Sequence, residues 1–234
     1  MSDCHVCETV DYSNMRGFVS TIQKGEEDQG KVFALDCEMV NTTVGSELCR
    51  VTMIDYTGTT CYETLVMPDN HIVDHNSRFS GITPEDLVGV TTRLRDVQAQ
   101  LLFKIDAKDI LIGHSLESDL RAMRLLHSTV VDTSIVFPHK RGAPFKRALR
   151  TLAQEQLQRI IQNDGKAGLS WVLETKYYLI SVEGGHDSKE DALACLDIMK
   201  RKVTADISLL QSRARATNSR RRDNFLTDPE NVAL

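Results

Sequence analysis

Apolar positions along the chain first follow strand periodicity and then alternate between helical and strand periodicity. Three apolar runs separated by turn residues predict an antiparallel meander, at Val32 to Met39, Glu47 to Asp55 and Cys61 to Val66. Mixed strands followed by alternating helices and strands predict an α/β domain with three layers. The later predicted elements are a helix from Leu94 to Phe103, a strand from Asp109 to Gly113, a helix from Ser115 to Leu126, a strand from Val130 to Asp132, and helices from Phe145 to Gln162 and from Lys189 to about Val203.

Two carboxylates, Asp36 and Glu38, interrupt the apolar run of the first strand. Side chains two positions apart on a strand lie on the same face of the sheet. Ionised carboxylates near a core are costly unless a cation or hydrogen-bond donors neutralise them. The pattern therefore indicates a divalent metal site. The alternative is an exposed strand end that carries two solvated acids.

Three more candidates lie at the starts of predicted helices. Ser115 is a candidate N-cap, which places Asp119 in the first turns of its helix. Ser188 and Asp191 have the spacing of a capping box, and two glycines precede His186 and would let it project. Taken singly, Asp191 is better explained as a capping acid, and Asp119 could merely favour a helix N-terminus. A lone histidine is more often exposed or structural. Only the set points to a metal site.

These residues occur in strings that closely resemble the three motifs of the DEDDh exonuclease superfamily. The strings are Ala-Leu-Asp-Cys-Glu-Met-Val, Gly-His-Ser-Leu-Glu-Ser-Asp-Leu and Gly-His-Asp-Ser-Lys-Glu-Asp-Ala, and they are most similar to those of the RNA exonuclease 1 subfamily. Residues 78–83 and 130–133 fit the same subfamily. The resemblance covers about residues 31–203 and implies a ribonuclease H-like fold, with a central mixed β-sheet flanked by helices.

The resemblance also implies a reaction, the hydrolysis of single-stranded RNA from a free 3′ end to nucleoside 5′-monophosphates. Four carboxylates balance the charge of two Mg²⁺ or Mn²⁺ ions, which prefer hard oxygen ligands, and an imidazole suits a general base. A DNA-directed exonuclease remains an alternative, as does a catalytically impaired protein that binds RNA or a partner. The expected metal ligands are Asp36, Glu38, Asp119 and Asp191, and the expected base is His186.

Two residues are candidates for contact with substrate. The resemblance suggests that Met39 packs against the terminal nucleotide, although a methionine after such a strand also fits the core. Arg150 belongs to a basic cluster between His139 and Arg150 that would suit a phosphate track or an ordinary solvated helix face. The whole chain carries a net charge of −5, from 28 basic and 33 acidic residues. That balance argues against broad electrostatic adhesion to nucleic acid.

The expected domain organisation has a flexible segment at 1–30, an exonuclease domain at 31–204 and a disordered tail at 205–234. Residues 165–183 interrupt the family pattern and suggest a lid, a partner site or, slightly favoured, a translated stretch of unspliced sequence. Six cysteines lack the spacing of a disulfide framework, and Cys4 and Cys7 have the spacing of half a zinc site. No apolar run reaches the ~18 residues of a membrane span. We expect an intracellular protein of the nucleus or, alternatively, the cytoplasm, with no membrane partner.

Overall fold

A computed structural model provides the structure of the protein and describes residues 15–25, 29–162 and 186–227. The strands are β1 (Val19–Ser20), β2 (Val32–Thr42), β3 (Gly45–Asp55), β4 (Thr60–Leu65), β5 (Ile72–Asp74), β6 (Ile110–Gly113), β7 (Leu125–Leu126) and β8 (Val130–Asp132). One mixed sheet has the strand order β4-β3-β2-β6-β8. Strands β2, β3 and β4 form an antiparallel meander, whereas β6 pairs parallel with both β2 and β8.

Helices cover both faces of this sheet and give the three predicted layers. The helices are α1 (Ser77–Ser80), α2 (Leu94–Lys104), α3 (Glu117–Ala122), α4 (Thr133–Val136), α5 (Leu149–Leu157) and α6 (Ser188–Thr227), and a 3₁₀ turn spans Glu85–Leu87. Alternate residues of β2 enter different cores: Phe33 and Leu35 pack with α2 and α3, whereas Ala34 packs with α5 and α6. Asp36 and Glu38 follow the register of Ala34 and therefore face the α6 layer.

The expected flexible segment at 1–30 is wrong for residues 15–25. Strand β1 pairs in parallel with β7, and the Thr21 hydroxyl hydrogen-bonds to His127. The Gln98 amide donates to the carbonyl of Gly17 and to that of Met123, which ties this part of the chain to α2. These partners lie about a hundred residues away, so the local polarity of the segment gave no indication of them.

The helix predicted from Phe145 to Gln162 is wrong at both ends. Helix α5 spans only Leu149–Leu157, because Ala148 is extended and Gln158 adopts a left-handed conformation with φ of 56°. The chain then turns so that Ile161 is fully buried against the α6 layer. Ile160 and Ile161 suggested a longer helix, but Ile161 packs in the core from the segment that follows α5.

The last helix continues well beyond the predicted end at about Val203. Helix α6 extends to Thr227, so the disordered tail expected at 205–234 is at odds with the structure over 205–227. Residues 204–227 contain no glycine or proline and include helix-forming alanine, leucine and arginine, so nothing in this stretch breaks the helix. Its exposed apolar side chains include Ile207 and Leu210. Within the described residues, no helix combines the length and the apolarity required to cross a membrane.

Candidate active site

Three distant chain segments bring four carboxylates and a histidine to one place beside β2. Asp36 and Glu38 come from β2, Asp119 comes from α3, and Asp191 comes from the first turn of α6, with His186 two residues before that helix. Burial, followed by the charges of Asp119, Asp191 and Glu38, raises the pKa of Asp36, so these three acids lie within Coulombic range of Asp36. The structure thus brings together all five residues that the sequence motifs single out.

Glu38 is 6% exposed, and its Oε1 has no hydrogen-bond partner among the described residues. Burial, followed by the charge of Asp191, raises its pKa to about 9, while Arg50 opposes the shift. Burial likewise raises the pKa of Asp36 well above its ordinary value. A sheet face that should be apolar therefore carries two acids that resist ionisation unless a cation is present.

Asp119 is held by the backbone of β2, at a position beyond the residues of β2 that pair with β6. Strand β6 pairs with β2 only as far as Ala34, and the Cys37 backbone N–H then donates to Asp119 Oδ1 at 2.9 Å. This bond lowers the pKa of Asp119, but burial outweighs it and raises the pKa to about 7. One oxygen of Asp119 thus completes the hydrogen bonding of the strand that carries the other two acids.

The turn before α3 differs from its prediction, because Ser115 is not an N-cap. Ser115 adopts a left-handed conformation with φ of 54°, and its N–H and that of Leu116 donate to the carboxylate of Asp132. Gly113 lets the chain pack closely here, because a Cβ would lie 2.6 Å from a side-chain carbon of Leu116 and 3.1 Å from the carbonyl oxygen of Leu35. Asp132, at the end of β8, therefore fixes the turn that aims Asp119 at β2.

Asp191 points from the first turn of α6 and is only 3% exposed. The Gln162 side-chain amide donates to Asp191 Oδ2 at 2.8 Å, while Oδ1 has no partner among the described residues. Burial raises the pKa of Asp191 to about 7, against the lowering effect of the Gln162 bond. The capping box expected from Ser188 is absent, since the Ser188 hydroxyl instead pairs with the Thr52 hydroxyl of β3 at 2.7 Å.

His186 lies directly before α6, about one-third exposed. Its backbone N–H donates to the carbonyl of Phe79 at 2.8 Å, and its Nδ1 lies 3.6 Å from Asp191 Oδ2. The ring is therefore partly open to solvent and electrostatically linked to the acid cluster.

The donor set fits hard divalent cations. Its members are carboxylate oxygens, and two of these oxygens are buried without hydrogen-bond partners among the described residues. The pKa values of all four acids are raised, and a bound cation would lower them again. Side chains as placed in the described part of the chain do not form a ready-made metal site from three or more acids, histidines or cysteines. The acids are thus near one another without being closed around a single point.

The remaining candidate residues lie in less distinctive positions. Met39 is partly buried against the core cluster on the α2 and α3 side, which is compatible with the alternative that it belongs to the core. Arg150 is exposed on α5. A substrate-binding role for either residue stays a prediction. The segment at 165–183 and the residues Cys4 and Cys7 lie outside the described residues.

Sequence reasoning missed Gln162 and Thr52. Gln162 stood at the end of a predicted helix and Thr52 inside a predicted strand, so neither carried a local signal of its contact with the start of α6.

The chain resembles known exonucleases in sequence and in fold, although no family model matches it. It is 48% identical over 195 residues to the human RNA exonuclease 1 homolog, a match covering 82% of this chain and 14% of that protein. RNA exonuclease 1 of Saccharomyces cerevisiae is 44% identical over 173 residues, covering 74% of this chain and 28% of that protein. The chain thus spans well under a third of the length of these relatives.

Solved structures with similar folds include the Pan2 catalytic unit of Neurospora crassa, which contains protease and nuclease domains. It superposes with a TM-score of 0.60 at 22% identity, over 83% of this chain and 31% of that one. The Saccharomyces cerevisiae Pan2 RNA exonuclease module in complex with AAGGA RNA gives a TM-score of 0.57 at 22% identity, over 85% of this chain and 35% of that one. The predicted ribonuclease H-like fold, a mixed sheet flanked by helices, is confirmed. Over the region shared with these relatives, the chain belongs to the RNA exonuclease 1 family.

Proposed function

We propose that this protein is a metal-dependent 3′→5′ exoribonuclease that releases nucleoside 5′-monophosphates from single-stranded RNA. The observation that carries the proposal is the convergence of four carboxylates and His186 from three separate chain segments beside β2. Relatives are named RNA exonucleases, and a similar Pan2 module was solved with RNA bound. Both findings support RNA as the substrate.

Asp36, Glu38, Asp119 and Asp191 would hold two Mg²⁺ or Mn²⁺ ions. When bound, such ions stabilise charge on the phosphate and promote ionisation of an attacking water. The protein contributes a buried sheet face that keeps the acids close together, and hydrogen bonds from Cys37 and Gln162 that orient two of them.

His186 would accept the proton of the attacking water. Its Nδ1 lies 3.6 Å from Asp191 Oδ2, so the imidazolium formed in this step is stabilised by a neighbouring carboxylate. The ring is partly exposed, which gives water access to it. Its position directly before α6 couples the proton acceptor to the same turn that carries Asp191.

The test uses purified protein and 5′-labelled single-stranded RNA, with Mg²⁺, Mn²⁺ or chelator. We expect stepwise shortening from the 3′ end with either metal, release of 5′-monophosphates, and no reaction with chelator. A circular RNA of the same composition should resist. Cleavage of the circle at a comparable rate, or full activity in chelator, would overturn the proposal.

Two arms of the same experiment address substrate choice and the loss of activity. Single-stranded DNA of matched sequence should be degraded more slowly than RNA. A faster rate on DNA would show that DNA, and not RNA, is the preferred substrate. The Asp119→Asn variant keeps an oxygen for the Cys37 N–H but lacks the charge, so it should be folded and inactive. RNA binding without hydrolysis by the wild-type protein would instead indicate a binding protein.

We further propose a nuclear location, which a fluorescent fusion would test. Nuclear exclusion of the fusion would contradict it. The local features behind this proposal are the absence of disulfides among the described cysteines and three consecutive arginines at 220–222.

A further inference from the structure

Positive charge is concentrated in one part of the chain, at the end of α6 that is remote from the acids. Residues 200–222 hold eight basic residues and one acidic residue, which contribute +7 to the net charge. The remaining 20 basic and 32 acidic residues of the chain contribute −12. Such a charge asymmetry within one small protein is typical of a segment that binds a polyanion.

This part of α6 lies outside the packed domain. The helix packs in the core as far as Met199, whereas every residue from Val203 to Arg213 is exposed. Between Asp206 and Asp223 the sequence holds five arginines and no acidic residue. We refer to the helical residues 211–224 as the arginine-rich arm. A helix with so much like charge repels itself, and an anionic partner relieves that repulsion.

The composition of the arm favours a phosphate backbone over an apolar groove of another protein. Val203, Ile207 and Leu210 form an exposed aliphatic stripe at helical spacing, but the stripe ends at Leu210. Residues 211–224 contain no valine, isoleucine, leucine, methionine or aromatic residue. Arginine, serine, threonine, asparagine and glutamine predominate instead, and these are side chains that bind phosphate oxygens. A second copy of the chain is disfavoured as the partner, because it would bring two basic segments together.

The arm is far enough from the acids to meet a different part of the RNA. Arg213 is 22 residues beyond Asp191 in one continuous helix, which corresponds to about 33 Å at 1.5 Å per residue. At the ~3.4 Å spacing of stacked bases, this distance equals about ten nucleotides. An RNA whose 3′ end lies beside Asp191 can therefore reach the arm only if it is longer than a few nucleotides.

We propose that the arginine-rich arm is a second binding site for the phosphate backbone of RNA, upstream of the 3′ end held at the acid cluster. The inference rests on the proposed function and adds that the preferred substrate is a long single strand. Contacts with phosphate carry no sequence information, so the arm raises the affinity for any long RNA. Arginine-rich segments can gain order on binding RNA, which suits a helix without support from the core.

The experiment replaces the five arginines of the arm in the 234-residue chain. The neutral variant carries Arg213→Gln, Arg215→Gln, Arg220→Gln, Arg221→Gln and Arg222→Gln, and the control variant carries lysine at the same five positions. Glutamine and lysine are both good helix formers, so neither set of substitutions breaks α6. The two RNAs share one 3′ sequence and have about 4 and about 24 nucleotides, so that only the longer one can reach the arm.

Binding is measured by fluorescence polarisation in chelator, and hydrolysis is measured with Mg²⁺. We expect the neutral variant to bind the long RNA at least about 10-fold more weakly at low salt, with a matching rise in KM and an unchanged kcat. The slope of log Kd against log salt should become shallower by up to about 3.5, at ~0.7 for each of five lost phosphate contacts. The short RNA should be bound and hydrolysed equally by all three proteins, and the lysine control should stay within a few-fold of wild type on both RNAs.

Four results would overturn the inference. The first is unchanged binding of the long RNA by the neutral variant, and the second is an equal loss for the short RNA. The third is a loss in the lysine control as large as that in the neutral variant, since the charge is then not what matters. The fourth is displacement of the long RNA by poly-L-glutamate at matched charge, which would indicate an acidic protein segment as the partner.

Failure of the proposed function has a separate signature in the same data. If the wild type hydrolyses neither RNA with Mg²⁺, the proposed exonuclease activity is wrong. The binding measurements in chelator need no hydrolysis, so they then decide on the arginine-rich arm by themselves.

Discussion

Replacing Glu38 with glutamine should stabilise the metal-free protein in a pH-dependent way. Burial raises the pKa of Glu38 from an ordinary 4.5 to about 9. Below pH 4.5 the side chain is protonated in both the folded and unfolded states, and it costs nothing. As the pH rises from 4.5 towards 9, only the unfolded state ionises freely, so folding has to take up a proton and stability is lost.

The cost follows from the linkage between protonation and folding. It amounts to about 3 kcal/mol of unfolding free energy at pH 7 and under about 1 kcal/mol at pH 5, at 1.36 kcal/mol for each unit of pKa difference. Glutamine has a similar shape and does not ionise. Glu38→Gln should therefore gain roughly these amounts in chelator, with the gain growing between pH 5 and pH 7.

The assay is urea unfolding, followed by circular dichroism, at pH 5, 6 and 7 in chelator. Glu63→Gln is the matched control, because Glu63 is exposed on β4 and the substitution is the same. Addition of Mg²⁺ should stabilise the wild type more than Glu38→Gln. A difference between Glu38→Gln and wild type that does not vary with pH would refute the reasoning.

The other predictions concern the acid cluster, the base and the interrupting segment. Gln162→Ala removes a hydrogen-bond donor that lowers the pKa of Asp191, so the acidic limb of the pH–rate profile should move to higher pH. An unmoved limb would show that Gln162 has no influence on the reaction. His186→Ala should lower kcat far more than the Mg²⁺ affinity measured by calorimetry, and retained rate and pH dependence would exclude His186 as the base. Deletion of residues 165–183 should preserve kcat/KM and the thermal midpoint. Loss of both would show that the segment is an integral part of the domain.

Strand periodicity was sufficient to place Asp36 and Glu38 on one face of β2. The alternation of Phe33, Ala34 and Leu35 between two cores carries directly into the acids that follow them. The meander and the strands β6 and β8 were also predictable, because short apolar runs between turns identify strands of a buried sheet. Those features depend on neighbours within a few residues.

Contacts between distant residues could not be read in the same way. Thr52 and Ser188 are 136 positions apart, and their hydroxyl contact ties the start of α6 to β3. Ser115 looked like a helix cap, yet its backbone N–H donates a hydrogen bond to the carboxylate of Asp132, 17 positions away. In both cases a tertiary partner overrides a local motif, since the same polar group can be satisfied in more than one way.

The first turn of α6, which carries Asp191, and the exposed part of the same helix should differ in local stability. Forty residues at 1.5 Å each make a rod of about 60 Å. The first part of the helix, as far as Met199, packs in the core, whereas residues 203–213 are exposed. An unsupported helix of this kind is marginally stable in water, so opening should begin at the exposed end and proceed inward. Amide hydrogens after Met199 should accordingly exchange with solvent much faster than those near Asp191, whose packed turn opens only with the domain. Proteolytic trimming of the distal half would then leave the acid cluster untouched.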